Sequence, residues 1–195
     1  MRVPYTGRVS REEPTAPAGL VLREELPADR TAILALTAQA FAVSPATGLR
    51  VEGEPFEVEV LRRLFDSKDY IPTLSVVGLL GHEIVGHVIS TRGWVGSHRV
   101  LGLGPLGVLP RLQRRGIGSA LMQESIARAN AAGESGIALL GSTLYYPRFG
   151  FVPARTVGVL PPEDAWGAHF QLLPLNAWCR DIQGTFRFAG AFTRP

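Results

Sequence analysis

The stretch that decides the reading is Gly104 to Leu121, GPLGVLPRLQRRGIGSAL. It opens inside an apolar run, Leu101 to Leu109, that Gly102, Gly104, Pro105 and Gly107 interrupt. Proline has no ladder N–H and glycine weakens a strand interior. The run therefore reads as a splayed or bulged strand whose backbone has a task of its own. A loop follows with Gln113, Arg114, Arg115, Gly116, Ile117 and Gly118, and a helix begins at once, from Gly116 to about Ala132. The first N–H groups of a helix lack intrahelical acceptors and carry the positive end of its dipole. Glycines there let a ligand approach the backbone. The expectation is an anion cradle suited to phosphate, with two arginines beside it.

Other phosphate loops fit poorly. No Gly-Lys-Ser/Thr follows, which a nucleotide P-loop requires, and Leu121 stands where a dinucleotide fingerprint needs its third glycine.

The flanking segments extend the pattern. Leu20 to Arg23 reads as a first strand. Helical spacing follows at Ile33, Leu34, Leu36 and Phe41, and again from Pro55 to Phe65. Leu74 to Leu80, a turn at Gly81-His82-Glu83, and Ile84 to Ile89 form a hairpin. After the central helix come a buried-type strand at Ile137 to Leu140, a helical turn at Tyr145 to Phe149, a strand from Phe151, and another at His169 to Leu173. This order predicts an α/β domain on one mixed sheet. The expected organisation is a loose leader at 1–19, a domain over 20–160, and a strand and tail over 161–195. The tail packs on the domain or on a dimer partner.

Composition bounds the function. The 195 residues carry a formal net charge of +3 and 46% hydrophobic residues, enough for a core and too little charge for a polyanion-binding face. Arg111, Arg114 and Arg115 suit a few phosphates; nucleic acid is not expected. The single cysteine, Cys179, excludes an internal disulfide and fits a reducing cytoplasm. Histidines 82, 87, 98 and 169 lack metal-ligand spacing, so no metal is expected. No apolar stretch reaches about eighteen residues, so no membrane span is expected. The N-terminus has no signal-peptide core.

Gln113-x-x-Gly116-x-Gly118, preceded by Leu106-Gly-Val-Leu-Pro110, resembles the acetyl-CoA motif of the GCN5-related N-acetyltransferases (GNAT). Tyr145-Tyr146-Pro-Arg-Phe-Gly150-Phe151 resembles that family's Tyr-x-x-x-Gly-Phe segment, most of all in members with a Tyr-Tyr-x-Arg-Phe-Gly-Phe signature. The resemblance covers roughly residues 20 to 155. It implies a mostly antiparallel twisted sheet, splayed at the cofactor site between strands 101–109 and 137–141, with helices on both faces. It implies acetyl-CoA as cofactor, with the diphosphate on the amides of Arg114, Arg115, Gly116, Ile117, Gly118 and Ser119. Leu106, Gly107, Val108 and Leu109 would hold the pantetheine arm, with Gln113 and Tyr145 also at the site.

The implied reaction is acetyl transfer to a primary amine by direct attack in a ternary complex. A backbone N–H near Val108 or Leu109 would polarise the carbonyl, and Tyr146 would protonate the leaving sulfur, a role Tyr145 could exchange with it. No acidic residue lies between Val100 and Arg111, so the base is sought elsewhere. His87 is the first candidate, through water, and His98 the second. Glu54 and Glu57 read as a solvated helix start that could face a cationic amine. Cys179 has no histidine–acid partnership, which argues against an acyl-cysteine route. A small-molecule amine is the expected partner, with a homodimer possible. A non-catalytic acyl-CoA sensor, a longer-chain acyltransferase and a protein lysine or N-terminal acetyltransferase remain open alternatives.

Overall fold

A computed structural model of the chain describes residues 15–44 and 47–192. Most of the expected leader, residues 1–14, lies outside the described residues.

Among the described residues, nine strands and three α-helices build the domain. The strands are β1 (Leu20–Glu24), β2 (Ser75–Leu80), β3 (Glu83–Val95), β4 (His98–Val108), β5 (Gly136–Leu140), β6 (Val152–Pro153), β7 (Val159–Leu160), β8 (Phe170–Pro174) and β9 (Gly184–Arg187). The helices are α1 (Arg30–Ala40), α2 (Phe56–Phe65) and α3 (Ile117–Ala131). Sheet order is β1-β2-β3-β4-β5-β8-β6, with β9 added to β3 and β7 to β9. Among the described residues, β4·β5 and β7·β9 are the parallel pairs. The sheet is thus mixed and mostly antiparallel, as the motifs implied.

Because side chains alternate along a strand, two adjacent residues identify the layers. A Cβ at Gly86 would meet Leu121 and Ile117 of α3. One at Gly107, which pairs with His87 across β3 and β4, would meet Leu36, Ala40 and Phe41 at the end of α1. Helix α3 covers one face, and α1 with α2 the other. Burial on both sides explains why β3 reads as an almost unbroken apolar run. Its core positions Val85, Val88 and Ile89 are fully buried.

Helix α2 shows how local sequence makes an element. Val58, Leu61, Leu64 and Phe65 recur at helical spacing and are buried, while Glu57 and Glu59 occupy the first turn and Arg62 and Arg63 the last, matching the helix dipole.

The C-terminal segment is ordered through β9, beyond the irregular tail the sequence suggested. Trp94 and Val95 of β3 pair with Arg187 and Phe186. Phe186 is fully buried and stacks edge-on with Phe188, their ring centroids 4.6 Å apart.

Candidate active site

The site begins where β4 and β5 part. Their parallel pairing is limited to Leu101↔Ile137 and Gly102↔Ala138. Beyond those two rungs β5 continues along β8, with Leu139 opposite Gln171 and Leu140 opposite Phe170. Strand β4 continues along β3 through a bulge: Val88 pairs with Leu106 and Ser90 with Leu103, so Gly104 and Pro105 oppose one residue, Ile89. The glycine–proline interruption in the sequence is this bulge.

Ladder alternation sets which backbone groups face the opening. The Leu109 N–H donates to the Val85 carbonyl at 3.0 Å, back toward β3. The neighbouring Val108 therefore points its N–H and carbonyl away from β3. Its carbonyl accepts from Gln113 Nε2 at 3.1 Å, which ties the following loop to the strand end. Leu109 is thus spent in the ladder and cannot polarise a substrate carbonyl, which corrects half of that expectation; Val108 keeps its N–H on the open side.

The loop then turns on two left-handed residues, Arg114 (φ 59°) and Gly116 (φ 79°). The second suits glycine, whereas the first is a conformation an arginine rarely adopts and one that clusters at ligand clamps. Gly116 is the N-cap of α3 and no side chain caps the helix. The first backbone bond inside α3 runs from the Ala120 N–H to the Gly116 carbonyl at 2.9 Å, leaving the N–H groups before it without helical acceptors. A Cβ at Gly118 would lie 3.1 Å from the Tyr145 hydroxyl, 3.7 Å from Leu106 and 3.8 Å from Val108, so glycine keeps this cradle open.

These elements wall a groove of about 1040 Å³. Leu106, Gly107, Val108, Gln113, Arg114, Gly116, Gly118, Ser119 and Tyr145 line it, joined by the end of α1 and by Arg148. The residues after α1 (Val43, Ser44 and Gly48) also line it; they lie in the loop over 42–55 expected to shape the acceptor side, and none was named for the cofactor. Two arginines, open amides and an apolar strand edge fit a diphosphate attached to a flexible arm.

Three of the expected residues do not line the groove with their side chains, and what Arg115 and Ile117 offer it is backbone N–H groups. Leu109 and Ile117 are buried in the core and Arg115 is exposed away from it.

The tyrosines face different ways. Tyr145 lines the groove, with Arg148 stacked 4.9 Å from its ring centroid and Arg148 Nε donating to its carbonyl at 2.9 Å. Tyr146 is half-buried beside it, its ring edge-on to that of Tyr145 at 5.0 Å between centroids. It packs against Gly141, where a Cβ would overlap its ring, and against Phe151 at 5.7 Å between centroids. Burial, reinforced by neighbouring Tyr145, pushes the Tyr146 hydroxyl up to about 12.

The turn carrying both tyrosines is fastened from below. The Ser142 carbonyl accepts the N–H groups of Tyr145 and Tyr146 at 3.2 and 3.3 Å, and Ser142 Oγ accepts that of Leu144. Gln171, buried on β8, donates Nε2 to the carbonyls of Gly141 (3.2 Å) and Ser142 (3.3 Å), while its Oε1 is buried with no hydrogen-bond partner. The sequence gave no sign of this residue's contacts; it read only as one position in a short strand.

His87 is not brought to the groove. It is 1% exposed beneath α1, with Nε2 2.9 Å from Ser75 Oγ. Ser75 in turn donates to Glu25, and Glu25 accepts from Arg30 Nε at 2.9 Å. Since the serine hydrogen is spent on Glu25, its oxygen accepts from a neutral His87 carrying its proton on Nε2. Burial pushes His87 down to about 3, against the pull of Asp29. A secluded, hydrogen-bonded imidazole is not placed to relay protons from an amine, which corrects the expectation for His87. His98 is exposed at the start of β4, and exposed Glu54 pairs with Arg62. Neither lines the groove. Among the described residues no group of histidine, cysteine and acidic side chains could hold a metal, and no helix is long and apolar enough to cross a membrane.

The sequence profile of the Acetyltransferase (GNAT) family matches residues 42–151, more than half of the chain. An uncharacterized N-acetyltransferase of Escherichia coli (strain K12), YjhQ, is 32% identical over 108 residues. That match covers 53% of this chain and 60% of the relative, so the chain spans less than two thirds of that protein. A GNAT family acetyltransferase from Brucella melitensis, solved in complex with acetyl-CoA, is 29% identical with a TM-score of 0.70, over 89% of this chain and 98% of that one. YhbS from Escherichia coli, solved in complex with CoA, shares the fold at 22% identity and a TM-score of 0.78, over 92% and 96% of the two chains.

Proposed function

Because this chain belongs to the GNAT acetyltransferase family, we propose that it transfers an acetyl group from acetyl-CoA to a primary amine by direct attack in a ternary complex. The observation that carries this reading is the opening between β4 and β5, which leads straight into the uncapped, glycine-turned start of α3.

When bound, acetyl-CoA supplies the acetyl group already activated as a thioester. The open amides at the start of α3, with Arg114, hold the diphosphate. The backbone edge from Leu106 to Val108 holds the arm in place of the rungs that β5 does not provide. The Val108 N–H, turned to the open side, is the donor available to a carbonyl oxygen gaining charge. Tyr146 keeps its proton on Oη throughout the neutral range, since burial raises it, and that proton goes to the departing sulfur. A second reading gives this role to Tyr145, because its hydroxyl stands on the groove beside Gly118. The acceptor is a small primary amine that enters in its neutral form past Phe41, Val43 and Ser44, and the proton its nitrogen sheds as the amide forms leaves to solvent. Cys179 is exposed on the far C-terminal segment and takes no part.

The test is CoA release from acetyl-CoA with a panel of amines, run on wild type, Tyr146→Phe and Tyr145→Phe. Amine-dependent release that drops at least about tenfold in Tyr146→Phe, with KM for acetyl-CoA kept, supports the first assignment. A kcat loss confined to Tyr145→Phe supports the second. Micromolar CoA binding without turnover on any amine would leave a sensor domain, and no binding at tens of micromolar would end the reading.

A further inference from the structure

Resting on the acetyltransferase reading above, we infer that Gln171 is a positioning residue: its side-chain amide clamps the Gly141 and Ser142 carbonyls and so fixes where the Tyr145–Tyr146 turn stands over the end of β5.

Three observations meet at this side chain. Both Nε2 hydrogens go to carbonyls, at 3.2 and 3.3 Å. The amide therefore has one orientation, since a flip would set Oε1 against two carbonyl oxygens. Oε1 in turn is stranded, buried and without a partner. Stranding a buried acceptor destabilises a fold.

Neither carbonyl needs Gln171 for its own satisfaction. The Gly141 carbonyl also has His169 Nδ1 at 3.2 Å, and the Ser142 carbonyl has the two tyrosine amides. Methionine, of similar length, would fill the space on β8 and strand nothing. Glutamine here is unfavourable for stability alone, and what its two N–H groups add is the location of the turn. The chain of contact is short: Gln171 to Ser142, Ser142 to the Tyr145 and Tyr146 amides, and the Tyr146 ring onto Gly141, itself held by Gln171.

Gln171→Met separates placement from stability. In the free protein, amide hydrogen exchange in a peptide covering residues 142–149 should quicken about tenfold, while Tm stays within about 3 °C of wild type. In turnover, kcat should fall about tenfold, a displaced group being costly, with KM for acetyl-CoA within about twofold. In the background of whichever variant, Tyr146→Phe or Tyr145→Phe, carries the kcat loss, the same substitution should lower kcat no further, because the group being placed is already gone. A general structural defect would instead lower Tm and add to that loss. Gln171→Glu serves if the methionine variant does not fold: it keeps the shape, presents oxygens to both carbonyls, and should loosen the same peptide. Unchanged exchange with unchanged kcat in either variant overturns the inference, as does full additivity with the tyrosine variant that carries the kcat loss. The exchange result stands whether or not an acceptor is found, so failure of the clamp and failure of the acetyltransferase reading are told apart.

Discussion

Replacing Gly118 with alanine should improve or spare the fold while damaging the cradle. Gly118 is the second residue of α3 with no positive φ, so alanine fits the backbone. Helix propensity favours it by about 0.5–1 kcal/mol. Against that stands one tight contact, the new Cβ 3.1 Å from the Tyr145 hydroxyl, with Leu106 and Val108 at ordinary distances. A shift of a few tenths of an ångström in Tyr145 relieves it, so net stability should change by less than about 1 kcal/mol. Binding has no such offset. The methyl group would enter the groove that Gly118 lines at the start of α3, and losing one hydrogen bond to a charged phosphate costs about 1.5–3 kcal/mol. That is roughly a 10- to 150-fold rise in the Kd for CoA. Titration calorimetry with CoA, paired with thermal unfolding, reads both quantities. A Kd within about threefold of wild type at unchanged Tm would refute the placement of the diphosphate.

Three further perturbations test other parts of the structure. His87 has a folded pKa near 3 against about 6.5 unfolded. Between those values the unfolded chain binds the extra proton, so stability is present above pH 6.5 and is lost as pH falls, by about 1.4 kcal/mol per pH unit. Urea unfolding from pH 4 to 7 should show this slope and His87→Gln should flatten it; a shifted pH–rate profile in the same variant would restore His87 as a proton relay. Glu134 grips Arg92 through two bonds of 2.8 and 2.6 Å, both partners largely covered. Glu134→Ala should cost about 1–3 kcal/mol in chemical denaturation, and a loss near zero would mean the pair is solvent-screened. Gly141→Ala would drive a Cβ into the Tyr146 ring and should lower kcat by about 10² at modest cost to CoA affinity; normal turnover would show that Tyr146 need not lie where it does.

Much of this was legible because backbone chemistry left marks in the sequence. Pro105 and Gly104 cannot serve a regular ladder, and they are the bulge. Gly116 and Gly118 stand where a left-handed cap and a close approach demand glycine. The anion-suited end of the groove followed from these. Other features left no local mark. His87 sits on a strand covered on both faces, so alternation offers no polar side on which to place it. Tyr145 and Tyr146 are neighbours on a tight turn, and offset from Gly150 does not tell which ring faces the groove. Arg92 and Glu134 meet across 42 residues. Strand β9 is four residues long and owes its place to Phe186 and Phe188 packing on β3 and β4, a tertiary effect.

The brevity of the β4·β5 pairing also has a mechanical meaning. Two backbone rungs join a half-sheet of β1 to β4 with another of β5, β8 and β6; side-chain packing and helix α3 supply the rest of the coupling. Acetyl-CoA lying in this wedge, as proposed above, would act as a seam between the halves, reaching from the cradle at the start of α3 to the turn that carries Tyr145.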